Sequence, residues 1–349
     1  MSDDAARTPN SAATRRTRRR RWGLGIAVLL VFALGGGAFA VGNYVYQTGT
    51  ELPCKVDTQD QRNSPEHFST GDEGPFPGEG WKKWVGVDLS PWWLTDVPYD
   101  TVQIPVAPGV DLAAWYIPAP SGSDKTVIVT HGYGASRYDF NALLPSSMLV
   151  KAGFNVLLVD QRNSGESTCV SGHHSAGQRE SDDFARVAQW LVDTKAANPA
   201  KIGMYGVSGG AIATAILPAK TDLVAAFALE APIFDFTQSA EHEVEFQGFP
   251  VWLWSLADLA AKVQGVNLNA VSVRDGIDAL HGRPELLLHG TADQRLPYSG
   301  GVQYRDYAQS IGADVTLETF DGADHTEGML TETDRYARVL TGFFQRALQ

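Results

Sequence analysis

The chain has 349 residues, 44% of them hydrophobic and 19% charged, enough for a sizeable globular core and inconsistent with a wholly disordered, collagen-like or disulfide-scaffold protein. Seven of its 28 basic side chains and two of its 40 acidic ones lie in the first 21 residues, leaving 21 basic and 38 acidic side chains and a balance of −17 on the rest. A body that acidic repels a phosphate backbone, so nucleic acid is not an expected partner.

Residues 1–21 read as a basic cytoplasmic tail, and Trp22 to Tyr46 follow as 25 residues without Asp, Glu, Lys or Arg. A bilayer-spanning helix needs about 20 apolar residues, and arginines on its N-terminal flank stay cytoplasmic. The expectation for 22–46 is therefore a single-pass signal anchor in the cell membrane, with everything after Tyr46 extracytoplasmic. Two other readings stay open: cleavage near Ala38-Phe39-Ala40, which would release the protein, and a twin-arginine export signal. All of them export the chain, and in an oxidising compartment the only two cysteines, Cys54 and Cys169, are expected to form a disulfide.

Residues 47–99 lack sustained periodicity and are rich in Gly, Pro and Trp. They read as an irregular segment laid over the body by Trp81, Trp84, Trp92 and Trp93. From residue 100 the pattern changes. Val102, Ile104 and Val106 alternate as in a half-buried strand, and Leu112 to Ile117 follow a Pro108-Gly109 turn. Short apolar runs come next at 126–130, 156–159, 201–205, 225–229, 285–288 and 315–320. Continuous runs of that length suit strands buried on both faces of a parallel sheet. Arg179 to Ala196 places Phe184, Val187, Leu191 and Val192 at helical spacing. The alternation predicts an α/β domain over 100–349, with a helical cap inserted at about 232–283 that carries Phe234, Phe236, Phe246, Phe249, Trp252 and Trp254.

Gly206-Val207-Ser208-Gly209-Gly210 stands between a strand and an Ala/Ile-rich helical stretch, the sequence form of a nucleophile elbow. A turn that sharp leaves no room for side chains beside the nucleophile. Ser208 then needs a base and an orienting acid. His325 follows the 315–320 run, and Asp293 follows the 285–288 run, so both fall at carboxyl ends of strands, where open α/β sheets place their sites. Asp321 and Asp324 are rival acids, read as shaping the His325 loop. The backbone N–H groups of Gly209 and Tyr133 are the expected oxyanion donors, with the Tyr133 ring either lining the pocket or lying on the surface, and His131 fixing its own loop. His173-His174 and Glu241-His242-Glu243 lack zinc-site spacing, and the glycines at 206–210 lack the Lys-Ser/Thr of a phosphate loop, so neither a metal nor a cofactor is expected.

With these pieces placed, residues 100–349 resemble the α/β-hydrolase superfamily, nearest its serine esterase and aminopeptidase-like branch. The resemblance rests on His131-Gly132, the Asp160-Gln161-Arg162-Asn163-Ser164-Gly165-Glu166-Ser167 stretch, the elbow at Ser208 and the Asp293 and His325 loops. It implies a mostly parallel central sheet flanked by helices and structural roles for Asp160, Arg162, Gly165 and Ser167. The expected function is an exported, membrane-anchored serine hydrolase cleaving small-molecule or lipid-like carboxylic esters through an acyl-enzyme. A serine peptidase or acyltransferase on the same scaffold is the alternative, and a non-catalytic binding protein a more distant one.

Overall fold

The eight apolar runs pair into one sheet in the order β1-β2-β4-β3-β5-β6-β7-β8. The strands are β1 (Asp100–Ala107), β2 (Val110–Ile117), β3 (Thr126–Thr130), β4 (Asn155–Val159), β5 (Ile202–Val207), β6 (Ala226–Glu230), β7 (Glu285–Gly290) and β8 (Val315–Phe320). The β1–β2 and β2–β4 pairs are antiparallel, and every other pair is parallel. This computed structural model describes residues 35–54, 63–71 and 79–349.

Every residue of β3 through β7 is buried, because helices cover both faces of the sheet. Alternation then divides neighbouring side chains between two cores. Val127, Val129, Val156 and Leu158 pack beneath helices α2 (Phe140–Lys151) and α10 (Thr333–Ala347). Ile128, Leu157, Met204 and Leu287 pack beneath α3 (Gln178–Lys195), α4 (Gly209–Ile216), α7 (Val273–Asp278) and α8 (Tyr298–Ser310). A short α9 (Gly328–Thr331) precedes α10. The chain leaves β3 towards β4 on one side and returns through β5 towards β6 on the other. The crevice where that direction reverses is the usual ligand position of an open α/β sheet.

The tryptophan-rich segment forms 3₁₀ turns at Glu79–Trp84 and Ser90–Trp92 and belongs to the first core. Trp81 is buried there, and Trp93 Nε1 donates to the Phe68 carbonyl at 2.8 Å. Trp84 Nε1 and Lys83 Nζ each reach Glu327, at 2.8 Å, in the loop that carries His325.

The insertion between β6 and β7 contains α5 (Phe236–Phe246) and α6 (Leu253–Val263) ahead of α7. A third helix joins them. Residues 35–50, here α1, are helical and pack on α6, where a Cβ on Gly42 would overlap the Leu256 carbonyl. Tyr46 is buried in that contact, among Trp254, Ala257 and Ala261. Of the expected membrane span of 22–46, residues 22–34 lie outside the described residues, and its end at 42–46 is seated on the cap. Among the described residues no helix is long and apolar enough to cross a membrane. At Gly42 and Tyr46 the described helix buries one face against protein.

Two carboxyl groups inside the sheet, Glu230 and Glu285, have no ion-pair partner among the described residues. Burial pushes Glu230, at the end of β6, up to about 8, although Tyr336 donates a 2.7 Å hydrogen bond to it. Burial raises Glu285 likewise to about 8 beside the Tyr304 hydroxyl. A carboxyl raised above its unfolded value stabilises the fold fully below about pH 4.3, and that contribution is lost as pH rises through the folded value. Glu230→Gln removes the ionisation. The expected outcome is a melting temperature close to wild type near pH 5 and a growing advantage to the variant towards pH 9, checked by thermal denaturation across that range.

Candidate active site

At the carboxyl end of β5 the chain turns directly into α4, and Ser208 sits at the turn with φ 50° and ψ −113°. For a serine this backbone is strained, at a cost of about 1–3 kcal/mol, and it persists because β5 and α4 are both fully buried and hold its two ends. Gly209 must lack a side chain, because a Cβ there would overlap the Tyr133 ring. The loop after β3 lies against the same turn: an added Cβ on Gly132 would stand 3.3 Å from Ser208 Cβ and 3.7 Å from its Oγ. Tyr133 and Gly209 therefore flank Ser208 on adjoining loops.

The structure brings Ser208, His325 and Asp293 into one hydrogen-bonded row. Ser208 Oγ lies 2.9 Å from His325 Nε2, and His325 Nδ1 lies 2.8 Å from Asp293 Oδ2. The other carboxylate oxygen, Oδ1, accepts from the backbone N–H groups of Arg295, at 3.0 Å, and Leu296, at 2.8 Å. Burial by itself would raise the Asp293 carboxyl. The facing His325 and His289 outweigh it, and Asp293 is held well below the ordinary carboxylate range. The acid remains ionised across the pH range in which the fold is expected to be stable.

Asp324 shapes the His325 loop: its Oδ1 accepts from the N–H of His325 at 2.8 Å and from that of Gln294 at 2.9 Å. Asp321 meets the Thr291 hydroxyl at 3.4 Å. His131 is buried with both ring nitrogens engaged, Nδ1 with the Gly132 carbonyl at 2.7 Å and Nε2 with the Gln161 N–H at 3.0 Å. That pairing puts the proton on Nδ1, and burial lowers the His131 pKa in spite of the nearby Asp160.

Arg137 and His289, which sequence reasoning did not single out, supply much of the support, together with the His173-His174 and His242-Glu243 pairs, which it named only to set aside a zinc site. Arg137 is buried with its guanidinium between Asp160 and Glu166, over the Trp115 ring at 4.8 Å. Its backbone N–H also donates to Asp160 Oδ1, at 2.6 Å, so the loop after β3 is clamped to the loop after β4. His289 Nε2 lies 3.4 Å from Asp293 Oδ2. His174 stacks on the Tyr133 ring at 3.9 Å and 8°. Burial pushes its pKa down to about 4, so the ring is neutral at neutral pH. His173 instead meets the Thr50 hydroxyl, at 3.1 Å. On α5, His242 meets the Gln294 carbonyl and Glu243 pairs with Arg295, fastening the cap to the Asp293 loop.

Arg162 pairs with Asp183, and Ser167 Oγ donates to the Asp160 carbonyl at 2.8 Å. Cys54 and Cys169 are joined by a disulfide with Cα atoms 5.5 Å apart.

Ser208 opens into a cavity of about 1110 Å³. Of the cap aromatics, Phe236, Phe249 and Trp254 line it, whereas Phe234 is buried towards the sheet and Phe246 and Trp252 face outwards. The Tyr133 ring lines the cavity.

Comparison with known proteins agrees with the fold. The sequence model of the prolyl oligopeptidase family matches residues 140–349. The uncharacterized protein YqkD of Bacillus subtilis is 29% identical over 202 residues, covering 56% of this chain and 64% of that one. The human acylamino-acid-releasing enzyme is 23% identical over 231 residues, 62% of this chain but 31% of the relative. The chain thus spans less than two thirds of the length of either. Among solved structures, the Pyrococcus furiosus esterase Pf2001 superposes with a TM-score of 0.60 at 23% identity, covering 72% of this chain and 94% of that one. A Mycobacterium tuberculosis puromycin-hydrolyzing peptidase gives 0.59 at 19% identity, covering 76% and 41%.

The overlap between a residue-209 Cβ and Tyr133 sets a test of the site's geometry. Gly209→Ala is expected to displace the Tyr133 loop and slow modification of Ser208 by a fluorophosphonate about a hundredfold, at unchanged circular dichroism.

Proposed function

The chain belongs to the prolyl oligopeptidase family of the α/β-hydrolase superfamily, and we propose that this serine hydrolase cleaves carboxylic esters through Ser208, His325 and Asp293. The observation that carries the reading is the row from Ser208 Oγ through His325 to Asp293, opening into a chamber lined mainly by apolar side chains. Ser208 Oγ attacks the acyl carbon while His325 Nε2 takes its proton. Asp293 accepts from Nδ1–H and stabilises the imidazolium that forms. The negative charge on the former carbonyl oxygen is met by the backbone N–H groups of Gly209 and Tyr133, the former in the first turn of α4, where N–H groups have no partner within the helix. His325 then protonates the departing alcohol. Water attacks the acyl-serine with His325 again as base, releasing the acid and restoring Ser208.

A peptidase reading has its own support, since the family is named for oligopeptide cleavage and a human relative for releasing acylated amino acids. The same residues would serve, with an amine as the leaving group. Parallel assays on p-nitrophenyl esters and N-acyl amino acid anilides separate the two readings: dominant anilide turnover would replace the ester reading.

Ser208→Ala is expected to lower kcat by about 10⁶ and to abolish fluorophosphonate labelling, with the fold intact. Asp293→Asn is expected to cost about 10⁴ in kcat, because the amide no longer holds the imidazole in the right tautomer. Turnover within tenfold of wild type in either purified variant would sink the mechanism.

The enzyme's place of action is proposed to be outside the cytoplasm. The Cys54–Cys169 bond is one that a reducing compartment would not keep, and the arginine cluster ahead of Trp22 has the form of an export signal or anchor flank. A reporter fused at residue 60 is expected to be active only where export is required for its activity; a cytoplasmic signal there would refute the topology.

A further inference from the structure

The cap is completed by a helix from the other end of the chain. Val45 and Tyr46 of α1 share one apolar cluster with Ala240 and Val244 of α5 and Trp254 of α6, separate from the two cores that sandwich the sheet. A two-helix hairpin of α5 and α6 would leave that face open, and α1 closes it. At the seam Gln264 bonds both Gln47, at 3.2 Å, and Asn43, at 3.0 Å. Beyond the helix the chain is tied down again. The Thr50 carbonyl accepts from the His174 N–H at 2.9 Å, Leu52 N–H donates to the Gly172 carbonyl at 2.7 Å, and Cys54 is bonded to Cys169.

The same helix faces the cavity. Val41, Val45 and Tyr46 line the cavity that contains Ser208, with Phe236, Val244 and Trp254. At about 1110 Å³ the cavity stands at the upper end of small-molecule sites, and a short acyl group would leave most of its apolar wall in water. Four charged residues line it, Glu51, Asp139, Glu243 and Arg295, and the last two are joined in an ion pair.

We infer that α1 is a specificity-determining wall of the acyl site, and that the ester taken there carries a long apolar acyl chain packed between α1 and the α5–α6 hairpin. The inference rests on the ester reading and names the substrate class of that same site. Val41, Val45 and Tyr46 act in recognition, away from the reacting atoms.

The experiment compares p-nitrophenyl acetate with p-nitrophenyl decanoate in the wild type and two variants. Gly42→Leu levers α1 off Leu256, and Val45→Trp fills the chamber from the α1 side. In each, kcat/KM for decanoate relative to acetate is expected to fall at least about fifteenfold, the worth of two buried methylenes at about fourfold each, with most of the change in KM. Equal losses on both esters, or an unchanged ratio in the folded variants, overturn the inference. Ethyl and decyl fluorophosphonates read the same wall through capture of Ser208, with no ester turned over. Faster labelling by the decyl reagent in a protein that hydrolyses no ester would overturn the ester reading and leave the wall standing. Ester hydrolysis with no chain-length preference in either assay would overturn the wall alone.

Discussion

The backbone of Ser208 is the constraint on which the rest of the site depends. A serine at φ 50° is held there only if neither β5 nor α4 can relax, and both are buried along their whole length. The parallel sheet provides that rigidity: β5 is hydrogen-bonded to β3 on one side and to β6 on the other. The Ser208 N–H itself is bonded to the Glu230 carbonyl at the end of β6, at 2.9 Å. Strain at one residue is thereby offset by a sheet that would lose several strand pairings if the turn flattened. The outcome is a hydroxyl lifted clear of the sheet, where an imidazole from another loop can reach it.

That imidazole is delivered by loops with little regular structure, and their placement depends on a few polar ties. Asp324 binds the N–H groups of His325 and Gln294 together, so the loops after β7 and β8 move as one. Glu327 extends the tie to Trp84 and Lys83, which lie about 240 residues earlier in the chain. On the opposite side Arg137 clamps the Tyr133 loop to Asp160. Breaking a buried pair of this kind typically costs about 3–5 kcal/mol, because the remaining charge is left without a partner. The groups around the developing charge are thus held by polar ties that reach across several loops.

How much of this was legible in the sequence follows from the range of each interaction. The strands were legible because burial on both faces writes a continuous apolar run that needs no partner to be recognised. Ser208 was legible from its glycines, and Asp293 and His325 from their positions just after apolar runs. Arg137, His289 and Glu327 were not, since each is defined by a contact with a distant loop and none falls in a local pattern; His174 was visible in the His173-His174 pair, but its stack on Tyr133 was not. The seating of the helix at 35–50 on the cap was not legible for a different reason. A run without charges is equally suited to lipid and to the apolar flank of a cap, and the close approach of Gly42 to Leu256 and the burial of Tyr46 are contacts that no local pattern encodes.

The disulfide gains its meaning from where its two ends sit. Cys169 belongs to a loop already organised by Asn163, whose Oδ1 accepts from the Val170 and Ser171 N–H groups and whose amide donates to the His173 carbonyl. Cys54 ends a segment whose preceding residues bond to Gly172 and His174. The bond closes a sequence separation of 115 residues, worth about 4–5 kcal/mol in the chain-entropy account. Most of that gain falls on the one part of the cap that is remote in sequence from the rest, since α5 and α6 are already tethered by β6 and β7. A helix brought from so far along the chain has the largest closure entropy to overcome. The covalent tie and the ring stack of His174 on Tyr133 therefore place α1 and the Ser208 pocket in a single mechanical unit, with the cap's third helix held by the same loop that braces the Tyr133 side of the site.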